Sequence, residues 1–398
     1  MTTDLGLPTL DYSYFSHAED AHRAIADARL RAPIASGPMG PELLTYELVR
    51  TVLRDPRFAA AQRPIAELQG CTDGPLWRRI STLILSTDGE RHHRLRRLVA
   101  KAFTPRATAR LDGLIVGLIT DLVTRHLSVG RCDVVSDIAR RLPIPVICAL
   151  LGTPREDWER FSDWIDDIGK MLEFNLAEDG PTILAAWEEL DRYLSELIAL
   201  RRRSLADDLL SDLISSDDDG DQLSHDELLS LATIVLGAGT DTTRNQLAAA
   251  VDVFCDHPDQ WALLRVHPTL AGRAVDEALR YRPIGFCLPR VATEDVELAG
   301  IPIPAGTIVL ANTAAANRDP AAFPHADRFD ITRENSSPIL AFGSGTHYCL
   351  GSHLARVELT RALEVMSQCM PGLKRAGPAP WRPLKGVTGP ATLPVAFD

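Results

Sequence analysis

The sequence contains no run of eighteen uncharged apolar residues, so no segment is expected to cross a bilayer as a helix. It opens Met1-Thr2-Thr3-Asp4, without the basic stretch and apolar core of a secretory leader, and a cytoplasmic protein without membrane attachment is expected. Paired cysteines are also missing. The seven cysteines, at 71, 132, 148, 255, 287, 349 and 369, form neither CxxC nor CxxCH. This argues against a zinc ribbon and against covalently attached c-type haem, and the odd, scattered set suits free thiols in a reducing compartment. Basic residues are outnumbered, 42 against 54 acidic, for a net charge of −12, which removes general nucleic-acid binding from consideration. No internal repeat is visible. At 45% hydrophobic and 24% charged residues, what remains is an ordinary globular composition with a large interior.

What the chain does have is concentrated in the decapeptide Phe342-Gly343-Ser344-Gly345-Thr346-His347-Tyr348-Cys349-Leu350-Gly351. An apolar-periodic helix through Leu354, Val357, Glu358 and Leu359 follows at once. Gly343 and Gly345 permit dihedrals that other residues adopt at a cost, so the chain can turn closely under a flat group. Cys349 precedes the helix, whose unpaired N–H groups and positive dipole end are expected to lower its thiol pKa and favour thiolate. A structural zinc site from His347, Cys349 and His353 would need a fourth ligand, and no other cysteine offers a closely spaced partner.

Most of the remaining sequence reads as helices broken by proline or glycine, with a strand-like interval from about Val296 to Asn312. Asp207 to Gln222, rich in serine and aspartate, reads as a solvated loop. At its end Ser224 and Glu227 make a capping-box signature, and the apolar pattern then continues to His257, before Pro258. Such a helix of about 33 residues is roughly 50 Å long, enough to cross the molecule, and must be largely buried. Its middle, Gly237-Ala238-Gly239-Thr240-Asp241-Thr242-Thr243, suits a helix poorly. Each glycine costs about 0.8–1 kcal/mol relative to alanine, and threonine hydroxyls bond back to the preceding turn. A local distortion is expected there, marking either a functional site or close packing against a neighbour.

Two further pairs stand out. Glu277 and Arg280 are three apart on one helix, where opposite charges meet. In Asp88 to Val99 both His92/Arg96 and His93/Arg97 are four apart, but Leu95, Val99 and Phe103 share the face of His92 and Arg96. A histidine and an arginine on an inward face need an anionic partner. Arg94, Arg97 and Lys101 form a basic stripe on the other side of the same helix, either an ordinary solvated face or a docking surface for an acidic partner protein.

FGxGxHxCxG at Phe342 to Gly351, [A/G]GxDT at Ala238, Gly239, Asp241 and Thr242, ExxR at Glu277 and Arg280, and HxxxR at His92 and Arg96 resemble, in order, the motifs of the cytochrome P-450 family. The likeness runs from about Pro41 to Phe397. It implies a mainly α fold with a small β region, one large haem-binding domain over 1–398, and a loosely ordered stretch over 1–20. Cys349 would be the thiolate ligand of haem b iron. Phe342, Gly343 and Ala238 would contact the haem, and His92, Arg96, Arg290 and His347 would bind its propionates. Thr242 would hydrogen-bond the dioxygen or a water beside it, and Asp241 would relay protons to it. Arg328 would complete the Glu277–Arg280 pair.

The resemblance further implies a monomeric monooxygenase that takes O2 and receives electrons from a separate ferredoxin and ferredoxin reductase. By family position, the pocket would be walled by Arg63 to Trp77, Lys170 to Leu184, the helix near Leu236 and Ala238, Gly285 to Leu288, and Val387-Thr388. Leu68, Met171, Phe174 and Phe286 in these stretches point to a hydrophobic substrate. Ile284 to Cys287 departs from relatives that carry a second proline after Pro283. A peroxygenase driven by hydrogen peroxide would not need the Asp241–Thr242 pair, and a haem-based gas-binding protein would be expected to carry a signalling domain for which the chain leaves no room.

Overall fold

The computed structural model describes residues 6–12, 15, 17–100, 103, 108–218 and 221–398. The long helix runs His225–Asp256 without interruption. Both capping-box bonds are present: the Glu227 N–H donates to Ser224 Oγ at 3.2 Å, and the Ser224 N–H donates to Glu227 Oε2 at 2.9 Å. Around this helix pack Pro143–Leu151, Trp158–Gly169, Leu176–Arg203 and Ser352–Cys369. Its second half, from Asn245 to Phe254, is buried on every side. The expected distortion at Gly237 to Thr243 is not a break. Gly239 is where the Pro143–Leu151 helix comes closest, since a Cβ there would lie 2.5 Å from Ile147 Cδ1. Thr240 and Thr242 fold their hydroxyls back onto the carbonyls of Leu236 and Ala238, each at 2.7 Å.

The β region is larger than the interval read from the sequence. Five strands, in the spatial order Ile34–Gly37, Gly40–Leu43, Ile308–Asn312, Cys287–Ala292, Phe58–Ala60, form one sheet. Its register sets Arg290 between Val309 on one side and Ala60 on the other. Val296–Leu298 and Ile301–Ile303 pair as a hairpin, and Arg131–Asp133, Lys374–Arg375 and Pro394–Ala396 form a third sheet. The N-terminal stretch, expected to be loose over 1–20, is partly tied down. Leu10 N–H donates to the Ser36 carbonyl at 3.0 Å, Tyr12 and Leu10 are buried, and a helix begins at Ala18.

Asp207 to Gln222 also differs from a plain loop. Asp208 caps the helix Leu209–Ser215, accepting from the Ser211 N–H at 2.8 Å, and Leu209, Leu210 and Leu213 are buried. Two-residue strands at 217–218 and 221–222 then pair antiparallel. Serine and aspartate set this cap and turn, while three leucines anchor it.

Candidate functional site

The cysteine loop is built as its glycines require. Gly343 and Gly345 hold φ of +75° and +71°, and a Cβ at Gly345 would lie 2.5 Å from the Leu53 carbonyl oxygen. The Cys349 N–H closes the loop on the Phe342 carbonyl at 3.0 Å, and the helix Ser352–Cys369 follows. Phe342 lies beneath the Arg356 guanidinium, 4.6 Å from its ring centre. Solvent reaches Cys349, yet protein surrounds it densely, as for a side chain facing a cleft. Burial pushes its thiol above the ordinary range, although the Gly351 and Ser352 amides, Arg96 and Arg356 all act to lower it. The helix start acts on the thiol in the expected direction, and burial opposes it. Among the described residues no three His, Cys, Asp or Glu side chains gather as a metal cluster, so His347, Cys349 and His353 do not form one.

Four cationic or donor side chains meet beside this loop. His92 is 2% exposed while His93 is exposed, which settles which pair faces inward. The His92 and His347 ring centres lie 4.3 Å apart with the rings tilted by 48°, and His92 Nδ1 is buried without a hydrogen-bond partner. Burial, with His347 and Arg96 close by, lowers the His92 pKa to about 4. His347 Nε2 lies 2.8 Å from Asp88 Oδ1, and the Ala60 N–H donates to Asp88 Oδ2 at 3.0 Å. Against the opposing effect of burial, these contacts hold the Asp88 carboxyl below the ordinary carboxylate range. Arg290 is 5% exposed and donates to the Pro289 carbonyl at 2.9 Å, and Arg96 donates to the Tyr348 carbonyl at 2.6 Å. Neither guanidinium is ion-paired to a carboxylate among the described residues, and burial lowers the pKa of both. Such a set of desolvated cations and one orphaned ring nitrogen fits an anion.

On the central helix, Ile234, Ala238 and Thr242 form a stripe at four-residue spacing. Ala238 is exposed and its two companions half-buried, in a helix otherwise mostly buried, so this face opens onto a cleft. Asp241 sits one residue round. Its Oδ1 accepts from Arg244 Nε at 2.9 Å and from Asn245 Nδ2 at 3.0 Å, and Arg244 also donates to Asp166 Oδ1 at 2.5 Å. Asp166 continues to Arg140 at 2.7 Å, a chain of charges reaching the half-exposed Arg140. A groove of about 660 Å³ is lined by Arg79, Leu95, Trp187, Asp191 and Thr233 among others, and does not include Cys349, Ala238 or Thr242.

Glu277 and Arg280 form the expected buried pair, with Arg280 Nε 2.7 Å from Oε2 and Nη2 2.8 Å from Oε1. Its third member is Arg333, not Arg328. Arg333 Nε donates to Glu277 Oε1 at 3.2 Å, whereas the Arg328 side chain is 70% exposed and contributes only its carbonyl, which accepts from Arg280 at 3.1 Å and from Arg333 at 2.9 Å. Phe286 is 3% exposed and packs on Tyr12 and His22 at 5.3 and 5.2 Å, so it supports the wall from behind instead of lining an opening. Arg94 is taken up by Glu227 at 2.6 Å, Arg97 is exposed, and Lys101 lies outside the described residues. Asn245 and Arg333 were not found from sequence; a polar residue four after Asp241 on the same face was the available signal for the first.

A family model for cytochrome P-450 matches residues 43–368. The chain is 36% identical to luteothin monooxygenase of Streptomyces thioluteus, over 98% of this chain and 96% of that one. It is 40% identical to mycinamicin IV hydroxylase/epoxidase of Micromonospora griseorubida, over 90% and 91%. The crystal structure of CalO2 superposes with a TM-score of 0.91 at 33% identity, covering 98% of this chain and 99% of that one.

Proposed function

The chain belongs to the cytochrome P-450 family, an oxygen-incorporating oxidoreductase with no helix among the described residues long and apolar enough to cross a membrane, and we propose how its residues divide the work. The single domain would hold haem b: Cys349 would ligate its iron, Phe342, Gly343 and Ala238 would line the ring, and His92, Arg96, Arg290 and His347 would receive the propionates. The observation that carries this is the gathering, beside a glycine-shaped loop, of two desolvated arginines with no carboxylate ion pair among the described residues and a buried histidine nitrogen without a hydrogen-bond partner. Bound there, the haem would supply reductive O2 activation: two electrons and two protons per O2, one oxygen atom to the substrate and the other to water.

The protein side of that chemistry is proton handling and exclusion of water. Because the Thr242 hydroxyl donates to the Ala238 carbonyl, its oxygen is left to accept, and so steadies a donor such as a water in the cleft. Asp241 is held at Oδ1, while Oδ2 has no protein partner among the described residues and is free to take a proton from solvent and pass it inward. The Arg244–Asp166–Arg140 chain leads from it towards solvent. An intact pair of this kind favours O2 with a separate ferredoxin and ferredoxin reductase over hydrogen peroxide as oxidant. Relatives named for luteothin, mycinamicin IV, nocardicin C and vitamin D(3) act on unlike molecules, so the wall residues set the choice; half-buried Met171 and Phe174 favour a hydrophobic small molecule. The enzyme acts as a cytoplasmic monomer.

Purified protein is expected to bind haem and, reduced under carbon monoxide, to show the red-shifted Soret band of thiolate ligation, which Cys349→His abolishes. Protein that takes up no haem ends this reading. Thr242→Ala is expected to divert electrons to hydrogen peroxide and Asp241→Asn to slow turnover, by about a hundredfold or more for a lost proton transfer. Full coupling and rate in both variants would remove the relay.

A further inference from the structure

Near the C-terminus the chain closes a hairpin. Trp381 bridges Pro390, the Arg382 N–H donates to the Gly389 carbonyl at 3.0 Å, and the Ala391 N–H to the Pro380 carbonyl at 2.8 Å. The tip of this hairpin touches two other stretches of the proposed pocket wall. Thr388 N–H donates to the Ile284 carbonyl at 2.8 Å, and Val387 bridges Gly285. Gly386, at φ +56°, lies so close to the Leu172 carbonyl that a Cβ would collide with it.

The base of the hairpin reaches the central helix instead. Arg382 Nη2 donates to Asn245 Oδ1, and Asn245 Nδ2 donates to the Asp241 carbonyl at 2.8 Å and to its Oδ1 at 3.0 Å. Gly389 makes room for this contact, since a Cβ there would sit 3.1 Å from Asn245 Oδ1. Asn245 is buried and its amide is used at both ends, so it cannot turn without losing a bond. Among the described residues, every protein donor to the Asp241 carboxylate ends on Oδ1: Arg244 through Nε at 2.9 Å and Nη2 at 2.7 Å, and Asn245. Which way Oδ2 faces is therefore fixed by two side chains, one of which answers to the pocket hairpin.

We infer that Asn245 and Arg382 are positioning residues that couple the filling of the substrate pocket to the orientation of the Asp241 carboxylate. A molecule seated against Val387 settles the hairpin, and the hairpin base holds Oδ1 through Arg382 and Asn245. The purpose of this link rests on the proposed role of Asp241 and on the proposed wall, but the link itself is a binding property. Coupling free energies are reciprocal, so a change at Asp241 must be felt by a pocket ligand, and through Arg382.

The test is a double-mutant cycle on ligand affinity in the ferric haem-loaded protein, read from the Soret shift. The probes are 4-phenylimidazole, whose ring extends into the pocket, and imidazole, which reaches the iron alone. Asp241→Asn is expected to change the Kd of 4-phenylimidazole about fivefold and that of imidazole less than twofold. In an Arg382→Gln background the same Asp241→Asn change is expected to move neither Kd by more than about twofold, while Arg382→Lys restores part of the effect. Additive effects of the two substitutions, or a 4-phenylimidazole response that only follows that of imidazole, overturn the inference. Should Arg382→Gln not fold, Asn245→Ser breaks the link at its other end and is read in the same way. If Asp241→Asn turns over at the parent rate while the cycle is non-additive, the relay role fails and the coupling stands; the reverse result removes the coupling alone.

Discussion

Gly345 and Gly351 both flank the cysteine loop, and the backbone treats them differently. Gly345 sits at φ +71° with the Leu53 carbonyl and Arg54 Cα where a side chain would go, whereas Gly351 has φ −80° and nothing within 4 Å of a built Cβ. Gly345→Ala is expected to strain the loop and lower haem retention, at a cost of about 1–3 kcal/mol for a forced left-handed residue. Gly351→Ala should leave haem content and melting temperature unchanged. Equal haem content in the two variants would mean that the loop adapts and that the close approach to Leu53 is not needed. Cys349 shows where a rule read from sequence is outweighed at this scale. Two helix-start amides and two arginines do act on its sulfur, but burial has the larger effect.

The elements that carry the site were legible where local spacing decides, and less so where distant segments meet. The central helix could be bounded from Ser224, Glu227 and Pro258 because capping and proline chemistry are local. The inward choice of His92 over His93 followed from an apolar stripe. By contrast Arg328 and Arg333 are both arginines in one irregular segment, and only the folded path shows that Arg333 reaches Glu277. Arg333→Ala is expected to destabilise by about 2–3 kcal/mol, as for lost hydrogen bonds to a buried charge, Arg280→Ala by about 3–5 kcal/mol, and Arg328→Ala by no more than about 0.5 kcal/mol. A urea titration in which Arg328→Ala matches Arg333→Ala would reverse the assignment. The helix after Cys349 carries a separate liability. Glu358 is 1% exposed, its Oε2 has no partner, and burial raises its pKa well above the ordinary value. The folded state therefore keeps a proton that the unfolded state gives up, and stability falls as pH rises through and above the ordinary carboxylate range. Glu358→Gln keeps the shape without the titration. Its melting temperature is expected to match the parent near pH 4 and exceed it by a widening margin up to pH 8, about 1 °C for each kcal/mol relieved. Parallel melting curves across that range would show that Glu358 is not held neutral by the fold.

On the scale of the whole molecule the sequence announced a net charge of −12 but not how its arginines are spent. Many are committed to carboxylates within the fold. Arg282 and Arg375 bind Asp252 at 2.9 and 2.7 Å, joining the central helix to the C-terminal sheet, and Arg318 binds Glu19 of the first helix at 3.0 Å. Arg94, read at first as part of a docking stripe, holds the capping Glu227. Arg97 of the same stripe is exposed, on the outward side of the helix whose inward side bears His92 and Arg96. An acidic electron donor approaching an acidic protein is repelled overall and must be drawn in by such a local positive spot, an attraction that salt screens within roughly 8–10 Å. Arg97→Glu is therefore expected to slow reduction by an acidic ferredoxin several-fold at low salt and to flatten the salt dependence, with ligand affinity unchanged. Arg94→Glu should act differently, by opposing Glu227 and lowering the melting temperature. Stopped-flow reduction rates that ignore both salt and the Arg97 reversal would place electron entry on another face.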